Sequence, residues 1–286
     1  MTDREKAGLR GPVAVCETHA RSHVTREAFH RDGRRSEMMQ TGEYPWSHRW
    51  LYDDHGRLLE EVAEGLYSFH RRFFYDARGR RKTVRVSDDN GERLEESYEY
   101  REDGSALHTS YPRVSDGIGV ALGGMLHMSG DAVRITATED SQGRAIERVL
   151  YDADYRRIQR VLFLYDSAGR LVEEGEAYFD NRIRDDFRNC FRYDEQGRYT
   201  RIEMYTPAGN TCQTMRYNEV GDLVERNNMT LPSDIDLFEQ PPWTEYFSYT
   251  YDSRSNWIKR ELVHRLDGTG ETPHRDELHR QVEYWN

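Results

Sequence analysis

One phrase recurs along this chain and limits what it can fold into: tyrosine, aspartate, two variable residues, glycine, arginine. It reads Tyr52-Asp53-Asp54-His55-Gly56-Arg57-Leu58, then Tyr75-Asp76-Ala77-Arg78-Gly79-Arg80. It returns as Tyr165-Asp166-Ser167-Ala168-Gly169-Arg170-Leu171 and Tyr193-Asp194-Glu195-Gln196-Gly197-Arg198-Tyr199. Looser copies start at Tyr100, Tyr151, Tyr217 and Tyr251. Second turn signals lie between the copies, at Glu64-Gly65, Asp89-Asn90-Gly91, Asp180-Asn181 and Pro207-Ala208-Gly209. Gly79, Gly91 and Gly104 stand 12 and 13 residues apart, and Gly197, Gly209 and Gly221 stand 12 and 12 apart. Strands with turn signals at roughly this spacing read as an antiparallel meander.

The phrase has a mechanical reading. The Asp side chain caps the turn backbone and the Gly takes the positive φ, which gives a type I turn with a glycine bulge. Asp then stands opposite the Arg, and Tyr opposite the residue after it. The residue two before each Tyr shares its face and is large: Trp50, Phe73, Tyr98, Phe163, Phe191, Met215 or Tyr249. A buried aromatic contributes roughly 1.5–3 kcal/mol, an exposed ion pair only about 0.2–1 kcal/mol. The aromatic row is therefore expected to hold the sheet, with the Asp–Arg pairs on the other face. Gly197→Val is expected to destabilise strongly and Arg198→Ala to cost under about 1 kcal/mol. Sustained helical spacing is absent. The expected fold class is all-β: an antiparallel β-meander of hairpin repeats in a curved or partly closed sheet. One domain is expected over residues 1–286, with irregular inserts at about 111–131 and 227–244.

Iterated every 20–24 residues or so, the phrase resembles the YD repeat of the bacterial Rhs (rearrangement hotspot) family, from about Gly11 to about Arg265. The resemblance implies a sheet that curls into a spiral or hollow shell, with roles in encapsulation, adhesion or glycan binding. Rhs toxin shells are much longer and carry a closing signature with a self-cleavage site. This sequence has no Asp-Pro dipeptide and nothing resembling a toxin domain after Trp257. A short, stand-alone relative is the expectation.

Composition narrows the function classes. Acidic residues outnumber basic ones, 52 to 41, for a formal charge of −11. A general nucleic-acid binder needs a basic face that this balance does not provide. No stretch approaches the ~18 apolar residues of a membrane-spanning helix, so neither nucleic acid nor membrane is an expected partner. Cys16, Cys190 and Cys212 lie far apart, which reads as free thiols in a reducing compartment. With a polar, charged start at Met1–Lys6, the expected location is the cytoplasm.

Chemistry-bearing patterns are sparse. His19 and His23 stand four apart, about 13 Å along a strand, too far to share a metal. Neither a metal nor a cofactor is expected. Adjacent carboxylates at Glu60-Glu61, Glu95-Glu96 and Glu173-Glu174 are expected to alternate faces, so no adjacent pair flanks one bond. The expected role is a non-enzymatic binding or interaction module for carbohydrate or a protein partner. Two alternatives are an Rhs-like shell or cap for a toxic partner, and an enzyme whose site is assembled across strands. A regular meander repeats one surface, so recognition is expected where the regularity fails. Those places are the loop ending at His127 and the segment carrying Asp234, Asp236 and Trp243. There Pro241-Pro242 stiffens the approach to the indole, which either contacts a ligand or plugs one end of the sheet.

Overall fold

The computed structural model describes residues 2–65, 68–111, 134–177, 182–207, 209–231, 241–270 and 272–285. Among the described residues a one-turn helix, α1 (Asp3–Lys6), precedes twenty strands. In chain order these are β1 (Val13–His19), β2 (His23–Phe29), β3 (Arg35–Gly42), β4 (Trp46–Tyr52), β5 (Leu58–Glu64), β6 (Phe69–Tyr75) and β7 (Arg81–Asp88). Next come β8 (Gly91–Tyr100), β9 (Ala106–Ser110), β10 (Arg134–Glu139), β11 (Ala145–Tyr151), β12 (Arg157–Tyr165), β13 (Leu171–Ala177) and β14 (Ile183–Tyr193). The last six are β15 (Tyr199–Thr206), β16 (Gly209–Tyr217), β17 (Leu223–Leu231), β18 (Trp243–Tyr251), β19 (Trp257–Leu266) and β20 (His274–Tyr284). Each strand pairs antiparallel with the next, and β20 returns to β1 from Val13↔Tyr284 to His19↔His279. The sheet closes completely, beyond the partial closure the sequence suggested. The insert expected over 227–244 is also shorter, because Asn227–Leu231 continues β17 and Trp243 already belongs to β18.

In an up-and-down ring, all turns that enter odd-numbered strands share one rim. Nine repeat turns lie there, from His30–Arg34 to Asp252–Asn256. Each has the same two backbone bonds: the first residue's N–H to the fifth residue's carbonyl, and the fourth residue's N–H back to the first. Two of these turns escape the sequence pattern, because His30 replaces the aspartate in one and Glu139 replaces the tyrosine before Asp140 in the other. The copy at Tyr151 keeps the turn geometry but sits at the opposite rim, between β11 and β12, with Tyr155 at φ 60° in the glycine's place.

The aspartate caps the turn as expected. In the turn after β4, Asp53 accepts from the backbone N–H groups of His55 and Arg57 at 3.0 and 2.8 Å, and its other oxygen takes Arg57 Nε at 2.6 Å. The arginine does more than pair. Arg57 lies 5.0 Å from the ring centre of Tyr75, the tyrosine of the next hairpin. The Tyr75 hydroxyl donates to the carbonyl of Leu58, one residue beyond that arginine, at 2.7 Å. The same link recurs with Arg34, Tyr52 and Arg35 O, and with Arg80, Tyr100 and Arg81 O. It recurs again at Arg144–Tyr165, Arg170–Tyr193 and Arg198–Tyr217.

A β-bulge follows these accepting carbonyls at once. Tyr52 pairs with Leu58 but Leu51 with Glu60, leaving Leu59 as an extra residue, and equivalent shifts occur at Phe29, Tyr75, Glu139, Tyr165, Tyr193 and Tyr217. A bulge disrupts the ladder locally, and the tyrosine hydroxyl supplies the carbonyl with a donor. The turn after Tyr100 has no bulge, and its following hairpin has Glu139 where the tyrosine belongs. Bulge and tyrosine are lost together.

Exposure alternates along β18 beyond the buried Thr244. In β18, Trp243, Glu245, Phe247, Tyr249 and Tyr251 are half-buried while Tyr246, Ser248 and Thr250 are exposed. Side chains converge inside a closed ring and diverge outside it, so the repeat-tyrosine row is the inner wall. The seam is locked by Asn256, which stands where other copies have arginine. It is fully buried, accepts from the backbone N–H of Arg10 at 2.6 Å and donates to Arg10 O at 2.8 Å. Beside it Leu9, Val13, Cys16 and Phe29 form an apolar cluster beneath the N-terminal segment.

The expectation for Arg198 needs revising, because its guanidinium stacks 4.5 Å from the Tyr217 ring centre as well as pairing with Asp194. Arg198→Ala should cost about 1–2 kcal/mol and Tyr217→Phe about 0.5–1.5 kcal/mol, with a joint loss smaller than the sum. Denaturant melts of the two variants and the double variant check this, and strict additivity overturns the link. Acid adds a second check. The arginine's backbone and side-chain hydrogen bonds hold Asp76, Asp140 and Asp166 below the usual carboxylate range. The folded carboxyl then binds fewer protons than the unfolded one, so its stabilisation is complete above about pH 4 and is lost as pH falls through the depressed value. Asp166→Asn should flatten the acid limb of the stability curve between pH 5 and 2, roughly, in thermal melts.

Candidate functional site on the inner wall

From β4 to β10 the inner wall carries two clusters of ionisable and aromatic side chains, with buried Val84 and Val86 on β7 between them. His48 projects inward from β4, its Nε2 2.9 Å from Glu61 Oε1 on β5, between Trp50 (4.4 Å between ring centres) and Phe69 (5.5 Å, edge-on). Arg71 on β6 meets Glu61 at 3.1 Å and grips Glu95 with Nε and Nη2 at 2.6 and 2.8 Å. Burial opposes ionisation of Glu61, but the His48 imidazole beside it and the Arg71 guanidinium prevail and hold it below the usual range.

Glu95 and Glu96 do not alternate as expected. Val84 pairs with Glu96 and Arg85 with Leu94, so Glu95 is an extra bulged residue. The bulge lets both carboxylates serve the inner wall, Glu95 towards Arg71 and Glu96 towards His108 on β9. At Glu60-Glu61 and Glu173-Glu174 the alternation holds: Glu60 reaches His70 outside while Glu61 faces His48 inside, and Glu173 reaches Arg188 while Glu174 is fully buried against Asn189.

His108 is the hub of the second cluster. Its ring stacks on Tyr98 with 4.3 Å between centres and 3° between planes. Glu96 lies 3.6 Å from its Nε2, and Glu139 on β10 lies 3.9 Å from its Nδ1. Tyr98 donates to Glu96 at 2.9 Å. The two carboxyls are driven apart in acidity. Burial pushes Glu139 up, whereas burial of Glu96 is outweighed by the imidazole of His108 beside it and the hydrogen bond from Tyr98, which hold it down. Two carboxyls of unequal proton affinity on either side of an imidazole can hold one proton between them.

At the rim opposite the repeat turns, the first cluster opens into a cleft of about 500 Å³. Tyr44 from the β3–β4 turn, Trp46 and His48 from β4, and Phe69 from β6 form its aromatic lining, with the apolar ring of Pro45 beside them. Gln40, Ser47 and Glu64 place polar groups at its edge. The turn is tied by a hydrogen bond from Gln40 Nε2 to Tyr44 O at 3.2 Å, and Ser47 donates to Glu64 at 3.3 Å. Tyr44 is 66% exposed.

Of the residues singled out in the sequence, Trp243 is placed and Asp234, Asp236 and His127 lie outside the described residues. Trp243 is the first residue of β18, on the inner wall, paired with Asn228 and Leu266. Its ring is 5.4 Å from the Arg226 guanidinium and 5.4 Å from the His264 ring. The cleft and the His108 cluster escaped the sequence reading because their members come from separate strands. The one local signal was the large residue two before each repeat tyrosine, which marks Trp50 and Tyr98 as inward.

A family described only as an uncharacterised protein matches residues 123–233, less than half of the chain. No curated protein matches. Among solved structures the chain is similar to TcdB2-TccC3, at 13% identity and a TM-score of 0.36, over 88% of this chain and 15% of that one. It is also similar to a porin-like protein from Bacteroides uniformis, at 12% identity and a TM-score of 0.39, over 96% and 99% of the two chains. The chain thus spans about 15% of the length of TcdB2-TccC3. Scores this low carry no argument about a shared site.

The acidity split at His108 is measurable. A buried carboxyl whose folded value is raised contributes most below the unfolded value and loses that contribution as pH rises. Glu139→Gln should therefore raise the melting temperature at pH 7 and have less effect at pH 4. Glu96→Gln should lower it at pH 7. Melts of both variants at the two pH values decide the assignment, and like-signed shifts at pH 7 overturn it.

Proposed function

We propose that this chain is a short YD-repeat shell of the Rhs kind, working as a binding module whose cleft between Tyr44, Trp46, His48 and Phe69 takes an uncharged or basic saccharide. The observation that carries the reading is the cleft itself. At about 500 Å³ it lies within the range of small-ligand sites, roughly 300–1,000 Å³. Aromatic faces pack against the C–H surfaces of a sugar ring, and Gln40, Ser47 and Glu64 supply hydrogen-bonding groups for its hydroxyls. Glu43 and Glu64 at the mouth disfavour an acidic sugar. The concavity suits a chain end better than a flat protein surface. Trp243, on the same inner wall, is a second aromatic contact for a long ligand.

Features elsewhere in the ring support the same reading. Mid-strand charges occupy both faces: Glu61, Arg71 and Glu96 inside, Arg49, Glu60 and Arg72 outside. A basic side chain facing lipid at mid-bilayer costs about 2–4 kcal/mol, so the ring is suited to water on both sides. The formal charge of −11 makes nucleic acid a poor partner. Cys16, Cys190 and Cys212 are free thiols, and burial raises all three, which supports a reducing location such as the cytoplasm.

A second reading, an enzyme, is favoured by one observation, the unequal carboxyl pair of Glu96 and Glu139 about His108. Saccharide binding and turnover are separable in one experiment. Isothermal titration against a panel of neutral, basic and acidic oligosaccharides should give saturable binding to neutral or basic members. Trp46→Ala should abolish it with the melting temperature within a few degrees of the parent. Absence of saturable binding across the panel overturns the binding reading. Release of reducing ends that Glu139→Gln abolishes establishes the enzyme instead.

A further inference from the structure

Inner-wall arginines are, as a rule, neutralised. Arg35 meets Glu27 at 2.7 Å, Arg71 meets Glu61 and Glu95, and Arg226 meets Glu245 at 2.6 Å. The rule fails at the seam. Arg260 on β19 and Arg280 on β20 have no carboxylate within 4 Å among the described residues. Both guanidiniums lie against the buried indole of Trp257, 3.6 Å (Arg280) and 5.4 Å (Arg260) from its ring centre. Arg280 spends two groups on neutral acceptors, Nε on Thr18 Oγ1 at 3.3 Å and Nη2 on Ala7 O at 3.4 Å. Arg280 Nη1 and Arg260 Nε are buried with no acceptor.

One aromatic face offsets only part of the cost of desolvating one cation. Two cations at one ring repel each other, and removing an uncompensated charge from water costs more than a ring returns. Glu27, a nearby carboxylate, is already held by Arg35. The arrangement lacks an anion, and both arginines keep partial exposure.

We propose that Arg260 and Arg280 form an oxyanion site on the inner wall at the seam, taking a carboxylate or phosphate-type group in the fork of two guanidiniums. Planar, multidentate recognition of an oxyanion is what paired arginines provide and lysines do not. The site lies on β19 and β20, away from the cleft formed by β3 to β6, and does not depend on the saccharide reading. Because β20 carries the closing register with β1, an anion bound there also strengthens the seam.

The test is a thermal-shift and calorimetric titration of the full chain with inorganic phosphate, sulfate and glucuronate, with chloride at matched ionic strength as control. The expected result is saturable 1:1 stabilisation by at least one oxyanion and none by chloride beyond a linear drift. Preference for phosphate and sulfate over glucuronate identifies a phosphate-type ligand, and the reverse a carboxylate. Arg260→Gln should weaken the midpoint at least tenfold, and Arg260→Lys should restore only part of it. Arg72→Gln, on the outer face, should leave it unchanged. If Arg280→Gln fails to fold, the Arg260 variants alone decide. Stabilisation that never saturates, or that survives Arg260→Gln intact, overturns the site.

Discussion

A tyrosine hydroxyl reaching back to one backbone carbonyl is the contact on which this ring depends. Strand pairing alone joins each hairpin to its neighbours along an edge and leaves their relative tilt to sheet twist. The link from Tyr75 to Leu58 O, with Arg57 across the ring face, adds a fixed point of attachment at the rim. It works only because the bulge at Leu59 breaks the ladder there. The repeat is therefore a unit of two hairpins: Asp, Gly and Arg belong to the first, Tyr to the second.

That division explains what the sequence could and could not disclose. Turn geometry is local, and Asp53, Gly56 and Arg57 announce it within five residues. Strand alternation is local too, and Trp50 and Phe73 mark the inward face correctly. The partner of a tyrosine hydroxyl lies 17 residues back in Tyr75 and 22 in Tyr193, a distance at which sequence pattern no longer specifies contact. Hence Arg198 read as a solvated charge although it stacks on Tyr217. Completeness of closure was equally illegible, since the β1–β20 ladder joins the two ends of the chain and Asn256, which fastens Arg10 beside it, looked like a degenerate copy of the repeat arginine.

The inner wall follows the same logic at a larger scale. Glu95 and Glu96 look like an alternating pair until a bulge turns both inward, and bulges at non-repeat positions leave no mark in composition. His108 and Glu139 come from strands flanking a long insert, so nothing in the linear order brings them together. Around the first cluster the wall is electrically self-contained, with Arg71 shared between Glu61 and Glu95. That balance is absent at His108 and at the Trp257 seam, among the described residues.

The closing pairing has a kinetic consequence. Nineteen of the twenty strand pairings join neighbours in the chain, whereas His19 and His279 are 260 residues apart. Bringing ends that far apart together costs about 5 kcal/mol of chain entropy, and nothing is recovered until the ladder between β1 and β20 forms. Nineteen local pairings can form without the ends meeting, and until they meet the first and last strands each present a bare edge. Such edges are the templates for pairing between chains. The seven-residue β1 and the small apolar cluster beneath Leu9 thus decide whether a folding chain joins its own end or that of another molecule.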